Sequence, residues 1–495
     1  MLADDYDVTA LTRSPARALA GDRDARVRWR HCDLFSIDAL QAALADIDFA
    51  VYLVHSQAPS SRLTQAAPRD LDLILADNFA RAAAANGVRQ IVVVGGVLPE
   101  GFQISPLLWS RREVELVLAS QGVPVTALRA SLIVGPGGSG PAVLVDLVRR
   151  LPLLALPPQA RSLTRPIAVS DVVRAIRDCL GRPEDYRGSF DIGGPDCLSY
   201  VEMLRQTAEV LELRRVFLPL PWLPLRLANW IARLASGAPA QLVGAIVESL
   251  PRDTRMRDNP LQQTIAPDSI GFRAALTEAI DPESGRLRPS PRRPIQCRDR
   301  VMIRQQSLVR SIQRVILPPG QDAAWVAGNY FRWLGRIFWP VVRTRIAEDG
   351  SVRVLLIGLP LLELTHLPER STSDRQVYRI AGGLLARGGG VGEPRFEFQT
   401  LLDRRYTMTA IHDYAPSLPW WLYIPTQATA HRLVMRWYQS MLAKLAREPG
   451  SRSSAAPRAG ACRSGRRFSA TGVDPAREVV HRGPRNRPRL SAGGR

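Results

Sequence analysis

Two polar segments directly follow apolar runs, so their side chains could bind a charged ligand at the end of a strand. Arg13 and Ser14 follow one run, and Asp33 follows the next. A guanidinium beside a hydroxyl is suited to a phosphate group, although Arg13 is equally suited to a solvated loop. Asp33 also has two interpretations, because a carboxylate can bind a ligand donor or stabilise the N-terminus of the helix that follows.

These segments belong to a regular alternation of predicted strands and helices in the first half of the chain. Apolar runs predict strands at 8–11, 28–32, 49–54, 91–94 and 125–129. Helical spacing separates them at 37–44, 71–85 and 111–120. Strands joined through helices indicate right-handed crossovers and a parallel sheet. Ligands of such sheets bind at the carboxyl ends of the strands, which is where the two polar segments lie.

Five segments, which include the two polar segments above, lie in an order typical of one protein family. They are TRSP at 12–15, CDL at 32–34, RASLIVGPG at 129–137, RPIAVSDV at 165–172 and FDIGG at 190–194. In these segments the chain resembles the extended and atypical short-chain dehydrogenase/reductase superfamily, above all its NmrA-like branch and the dinucleotide-binding accessory subunit of respiratory complex I. The resemblance implies an α/β fold, with a Rossmann-like doubly wound parallel sheet that binds NAD(P). This domain would span residues 1–283, with a substrate subdomain at 140–283.

The resemblance also implies which residues contact the cofactor. In the family an acid after the second strand selects NAD; Arg13 takes that place here, so NADP is expected rather than NAD. Asp33 takes the place of the acid that binds adenine. The expected cofactor-binding residues are Arg13, Ser14, Asp33, Leu34, Val54, His55, Gly95, Gly96, Arg111 and Leu132.

The catalytic residues are unknown from the sequence. Active members of the superfamily use a tyrosine and a lysine, whose places are taken here by Leu107 and Arg111; Lys444 is the only lysine of the chain. His55 and Ser56 are the nearest candidate proton donors, although a single histidine there more often has a structural role. We expect an oxidoreductase that acts on an apolar small molecule without a Tyr–Lys pair. The alternative is a non-enzymatic NADP sensor or a respiratory-complex-type assembly or regulatory protein.

A dinucleotide fold also needs a first strand and a Gly-rich turn that binds the pyrophosphate. The residues before Val8 lack this pattern, and 1–7 resembles only the last turn of the helix that follows the glycines. We hypothesise that the start codon is misplaced and that the natural protein begins upstream. Without that strand the sheet would lose its central hydrogen-bond partner.

The second half of the chain has a different pattern. A Pro- and Arg-rich linker at 284–297 leads to residues 298–448, whose order of strand, aromatic-rich helix, alternating strands and long final helix resembles a helix-grip fold of the START/polyketide-cyclase-like (SRPBCC-like) type. The resemblance implies a lipid-sized apolar cavity, but the same aromatic side chains could simply form the core. These side chains are Trp325, Tyr330, Phe331, Trp333, Phe338, Trp339, Trp420, Trp421 and Tyr423.

Composition limits the remaining possibilities. The chain has 495 residues, a net charge of +20 and five scattered cysteines, which argues against a disulfide framework and favours a reducing, cytoplasmic location. His366, His412 and His431 lack metal-ligand spacing, so no metal is expected. No signal peptide or membrane span is evident. The Arg-rich tail at 449–495 is expected to be disordered; nucleic acid is the less expected partner, and peripheral membrane contact stays open.

Overall fold

The computed structural model describes residues 2–20, 26–54, 63–98, 104–236, 243–244, 247, 253–254, 256–289, 308–386 and 393–447. The chain up to Arg447 forms one compact unit. The expectations for the Arg-rich tail, and for the linker after residue 289, lie outside the described residues.

Parallel strands form the centre of the first half, as predicted. The main sheet contains β3 (Phe49–Tyr52), β5 (Gln90–Gly96), β6 (Val125–Ala130) and β11 (Gly188–Ile192), in the order β11-β6-β5-β3. A separate parallel pair contains β1 (Val8–Thr12) and β2 (Val27–His31). Among the described residues no hydrogen-bond ladder joins β1 to β3, which are the two strands that would flank the expected first strand of the family.

Helices and short strands complete this half. The helices are α1 (Pro15–Ala20), α2 (Ile37–Ala43), α3 (Pro68–Ala85), α4 (Pro106–Ala119), α5 (Ser139–Arg150), α6 (Val169–Cys179), α7 (Tyr200–Val210), α8 (Leu225–Ser236), α9 (Pro260–Ile265) and α10 (Phe272–Ala279). The short strands are β4 (Leu63–Gln65), β7 (Ile133–Val134), β8 (Leu153–Leu156), β9 (Leu163–Thr164), β10 (Ile167–Ala168), β12 (Leu198–Ser199), β13 (Val216–Pro219), β14 (Ile280–Asp281) and β15 (Arg286–Leu287). None of the described helices combines the length and apolar character needed to cross a bilayer.

The second half is a curved sheet with helices on one face. Its elements are β16 (Val309–Ile316), α11 (Ala323–Ile337), β17 (Val342–Ile346), β18 (Val352–Leu356), β19 (Leu359–His366), β20 (Arg375–Gly382), β21 (Arg395–Leu401), β22 (Tyr406–Tyr414), α12 (Trp420–Tyr423) and α13 (Gln427–Arg447). The strand order is β17-β18-β19-β20-β21-β22-β16-β4, antiparallel except for the last pair. An aromatic core lies between the sheet and α11 and α13.

The two halves share an edge strand and a core. β4 comes from the first half but pairs with β16 over three residues, from Leu63↔Val309 to Gln65↔Ser311. Helix α3 is buried on nearly all sides, because the first-half sheet covers one face and side chains of β16, β21 and β22 join the same hydrophobic cluster. The expected division at 284–297 therefore does not separate two independent sheets.

The structure differs from the prediction at the end of β5, at β19 and in the predicted linker. β5 continues through Gly95 and Gly96, where the sequence analysis ended it, because these residues pair with β6. A Cβ on Gly95 would lie 2.6 Å from Oε1 of Glu115, so the glycine makes room for α4. β19 was not predicted. Residues 286–287, placed in the linker, pair with β14 as a hairpin.

Candidate functional site

Arg13 and Asp33 lie at the carboxyl ends of β1 and β2. The backbone N–H of Cys32 donates to the carbonyl of Thr12 at 2.9 Å, so the two loops leave the sheet at the same level. Arg13 is an exposed residue, but partial burial of its guanidinium lowers its pKa; the charge of Asp33 opposes this shift and that of Arg310 adds to it. Ser14 donates its backbone N–H to the Thr12 hydroxyl at 3.2 Å. Arg13 and Asp33 therefore lie near each other on the two neighbouring loops.

The Asp33 carboxylate is partly exposed to solvent. Its Oδ1 accepts the Phe35 N–H at 3.2 Å and its Oδ2 lies 3.3 Å from Nη2 of Arg310, yet the side chain remains 38% exposed. The N-cap of α2 is Ser36, whose hydroxyl accepts the Ala39 N–H. Asp33 lies three residues before this N-cap, so both interpretations of its carboxylate stay open. Leu34 packs against the core beside it.

Arg310 is a buried residue of this site that the sequence analysis missed. It comes from β16 of the second half, and its side chain is only 3% exposed. Its guanidinium lies 3.7 Å from the centre of the Phe35 ring, and Nη2 also bonds to Asp413 at 3.1 Å. An arginine within a predicted strand was the available signal, because a charge buried in a sheet needs a polar partner there.

A buried charge cluster from β21 and β22 contacts the loop that carries Asp33. Arg395 donates Nη2 to the carbonyl of Phe35 at 2.7 Å and Nε to Glu397. Burial alone would raise the pKa of Glu397, but Arg395 and Arg375 outweigh it and lower that pKa to about 2. His412 lies 5.6 Å from the Phe35 ring, and burial, reinforced by Arg395, keeps its pKa well below the ordinary value. The imidazole is therefore neutral.

Arg111 belongs to a second group, at the carboxyl end of β3. Tyr52 is buried edge-on against Phe79, with ring centres 5.1 Å apart, and its hydroxyl has no hydrogen-bond partner among the described residues. Burial raises the pKa of Tyr52; the charge of Asp72 adds to this, and that of Arg111 opposes it. The phenol stays protonated and is a poor acid. Val54 packs against the core just beyond β3.

The other predicted residues lie at the ends of β5 and β6 or outside the described chain. Gly95 and Gly96 end β5, and the side chain of Leu132 follows β6 and covers Gly140. Glu115, a possible i+4 partner of Arg111 on α4, accepts three hydrogen bonds from Arg129. His55 and Ser56 lie outside the described residues, so their candidate roles stay predictions.

The two loops that carry Arg13 and Asp33 fit one end of a dinucleotide. The guanidinium of Arg13 suits a 2′-phosphate, and the partly exposed carboxylate of Asp33 suits an amino donor such as that of adenine. Within the described chain, the residues after β1 offer no Gly-rich turn for a pyrophosphate. A bound dinucleotide would supply hydride chemistry.

A second candidate site is an apolar cavity of about 560 Å³ between the second-half sheet and α13. Tyr330, Phe331 and Tyr423 line it, whereas Trp339 and Trp421, expected there, are exposed to solvent. The other predicted aromatic residues pack around the core: Trp325, Trp333 and Trp420 are partly buried, and Phe338 stacks on Trp437.

A small polar group lies inside this cavity. Gln427 donates to the Tyr414 hydroxyl, which donates to the carbonyl of Leu385. Burial lowers the pKa of His431, which also lines the cavity, to about 4, so the imidazole is neutral near pH 7. Such a cavity suits an uncharged, mostly apolar ligand with one polar end. Among the described residues no cluster of His, Cys, Asp and Glu could hold a metal ion.

Comparison with known proteins is consistent with the first site. Residues 1–139 match the NAD(P)H-binding family model. Auxiliary protein GraX of Staphylococcus aureus is 34% identical over 96 residues, which cover 19% of this chain and only 31% of that protein.

Similar solved structures include a nucleoside-diphosphate-sugar epimerase from Staphylococcus aureus, 15% identical with a TM-score of 0.43, covering 55% of this chain and 90% of that one. Triphenylmethane reductase of Citrobacter sp., complexed with NADP(H), is 17% identical with a TM-score of 0.43, covering 56% and 94%. An NADPH-dependent quinone oxidoreductase from Escherichia coli is 16% identical with a TM-score of 0.41, covering 55% and 89%. The family match over residues 1–139 identifies the start of this chain as an NAD(P)-binding domain.

Proposed function

We propose that this protein binds NADP, or NAD, at the rim formed by Arg13 and Asp33, and acts as an oxidoreductase on an apolar small molecule held in the second-half cavity. Arg13 would bind the 2′-phosphate and Asp33 the adenine. NADPH would give a hydride to the substrate. The accompanying proton would come from water or from a side chain other than a Tyr–Lys pair, since Leu107 and Arg111 take those places.

The observation that carries the proposal is the alternation of side chains along β16. Arg310 points to Asp33 and Phe35, on the dinucleotide side. Its neighbours Val309 and Ser311 line the apolar cavity on the opposite face. One strand therefore forms a wall of both sites, as expected for a protein that handles both ligands together.

A second candidate, a non-enzymatic NADP sensor, is favoured by the group around Tyr52. Its phenol is buried with a raised pKa, and Arg111 lies where the family has its lysine. The Tyr52 phenol is therefore a poor proton donor. In this alternative the dinucleotide would change the occupancy of the cavity, or the reverse, through β16.

Titration of the purified protein with NADPH and with NADH tests both candidates. Binding is measured by nicotinamide fluorescence, and oxidation of NADPH by its absorbance in the presence of a panel of quinones and other apolar acceptors. Turnover supports the oxidoreductase, and binding without turnover supports the sensor. Absence of binding to either dinucleotide would refute the proposal. Arg28→Gln, an exposed arginine on β2, serves as the control variant.

A further inference from the structure

Large apolar side chains are exposed at one end of the second-half sheet. Ile357 is 79% exposed, Trp421 76% and Trp339 68%. Val341, Leu359 and Leu384 are exposed beside them. We call these six residues the apolar rim. Monomeric proteins seldom leave a continuous patch of this kind in water unless it contacts a partner or a membrane.

Backbone hydrogen bonds show that most of the rim is continuous. The N–H of Ile357 donates to the carbonyl of Val341 at 2.8 Å, and the N–H of Leu384 donates to that of Pro360 at 2.9 Å. The N–H of Ser417 donates to the carbonyl of Leu385 at 3.0 Å, which brings the segment before α12, and with it Trp421, to the same end. The rim is thus assembled from four separate segments of the chain.

The rim adjoins the apolar cavity. Leu361, Leu385 and Leu418 line the cavity, and each is one to three residues from a member of the rim or of α12. An uncharged apolar ligand would pass from its source into the cavity with least exposure to water if that source covered this end of the sheet.

The charge of the rim segments favours an anionic partner. Segments 336–343, 355–361, 382–386 and 414–424 contain two arginines, Arg336 and Arg343, and no aspartate or glutamate. Exposed tryptophans with neighbouring arginines suit the boundary between lipid headgroups and acyl chains, where the ring is buried and the guanidinium meets phosphate.

The turn at the tip of the rim has an unusual residue. Ile357 and Gly358 form the turn between β18 and β19, with φ of +50° and +87°. A left-handed conformation disfavours a β-branched side chain and suits Asn or Gly. Folding alone would therefore not favour isoleucine at this solvent-exposed position.

We propose that the apolar rim docks on a bilayer surface that carries anionic lipids, and that the apolar ligand enters the cavity from that surface. The rim tryptophans and Ile357 insert at the level of the headgroups, and Arg336 and Arg343 contact lipid phosphates. Docking itself is independent of dinucleotide binding and can be tested separately, whereas entry of the ligand rests on the apolar substrate proposed above.

Flotation of the full chain with vesicles of phosphatidylcholine and about one-third phosphatidylglycerol tests the proposal. Trp339→Ser/Trp421→Ser is expected to bind about tenfold more weakly than the parent chain. Ile357→Asn is expected to bind about threefold more weakly while its melting midpoint stays equal or rises, because Asn suits the turn. That combination separates a docking role from a folding role.

Matched variants and salt provide the controls. Trp109→Ser removes an exposed tryptophan from α4 and is expected to leave vesicle binding unchanged. The Arg-rich tail adds an electrostatic attraction common to all variants; about 0.5 M salt screens it, and the differences between variants should persist. Unchanged binding of both rim variants overturns the proposal, as does a loss confined to Trp230→Ser on α8. Dimers in solution that the rim substitutions dissociate would also overturn it, since the rim would then contact a second copy.

Discussion

Glu397→Gln is expected to destabilise the fold strongly above pH 5. Glu397 is 2% exposed and bonds to Arg395 and Arg375. Its pKa is about 2 in the folded chain against an ordinary value of 4.5. At about 1.36 kcal/mol for each pH unit, this difference corresponds to about 3 kcal/mol. Because the folded pKa is the lower one, the stabilisation is complete above pH 4.5 and is lost as the pH falls towards 2.

Chemical denaturation of the parent and variant chains between pH 7 and pH 3 measures this contribution. The variant is expected to be about 3 kcal/mol less stable at pH 7, and the difference between the two curves should narrow as the pH falls from 4.5 towards 3. Glu393→Gln, whose side chain is 66% exposed in its pair with Arg370, serves as the control and should cost less than about 1 kcal/mol. Parallel curves for the parent and Glu397→Gln would refute the argument that buried arginines hold this carboxylate ionised.

Three further outcomes follow from the two sites. Arg13→Gln is expected to weaken NADPH binding about tenfold relative to NADH in fluorescence titrations, because a charge-assisted bond to the 2′-phosphate is lost; equal weakening of both cofactors would contradict that contact. Gly95→Ala should cost about 1–3 kcal/mol in thermal unfolding, because its Cβ would lie 2.6 Å from a Glu115 oxygen that Arg129 holds in place; Gly382→Ala, with no atom within 4 Å, is the control. Val434→Trp should abolish binding of an apolar fluorescent probe with little change in the melting midpoint, since the cavity of about 560 Å³ can hold the indole; retained binding would place the probe elsewhere.

The sequence pattern predicted the helices whose caps and apolar spacing lie within or next to the helix itself. The helix predicted at 71–85 ends at Ala85 as α3, and the Asn86-Gly87 pair that follows it caps the helix, with Gly87 at a φ of +68°. The aromatic-rich helix predicted for the second half is α11 (Ala323–Ile337). In both cases capping groups and apolar spacing lie within the element or next to it.

Long-range pairing explains what the sequence analysis missed. β4 has three residues and pairs with β16, 246 positions later, so no periodicity within β4 could reveal it. Arg310 reaches Asp33 only because β16 packs against α3, and its role depends on that tertiary arrangement. The Arg13 and Asp33 loops were found early because each directly follows its own strand, so their proximity needs only a parallel sheet.

The buried acids of α3 indicate that the two halves depend on each other for folding. Asp70 bonds to Arg314 at 2.8 Å, and Asp77 accepts from Gln399; both partners come from the second-half sheet. A fragment of residues 1–283 would lose these partners and would expose to water the apolar face of α3 that β16, β21 and β22 cover in the full chain. We therefore expect this fragment to aggregate where the full chain stays soluble, as measured by sedimentation after expression of each. A monomeric, cooperatively unfolding fragment would contradict this interdependence and would favour two separable domains.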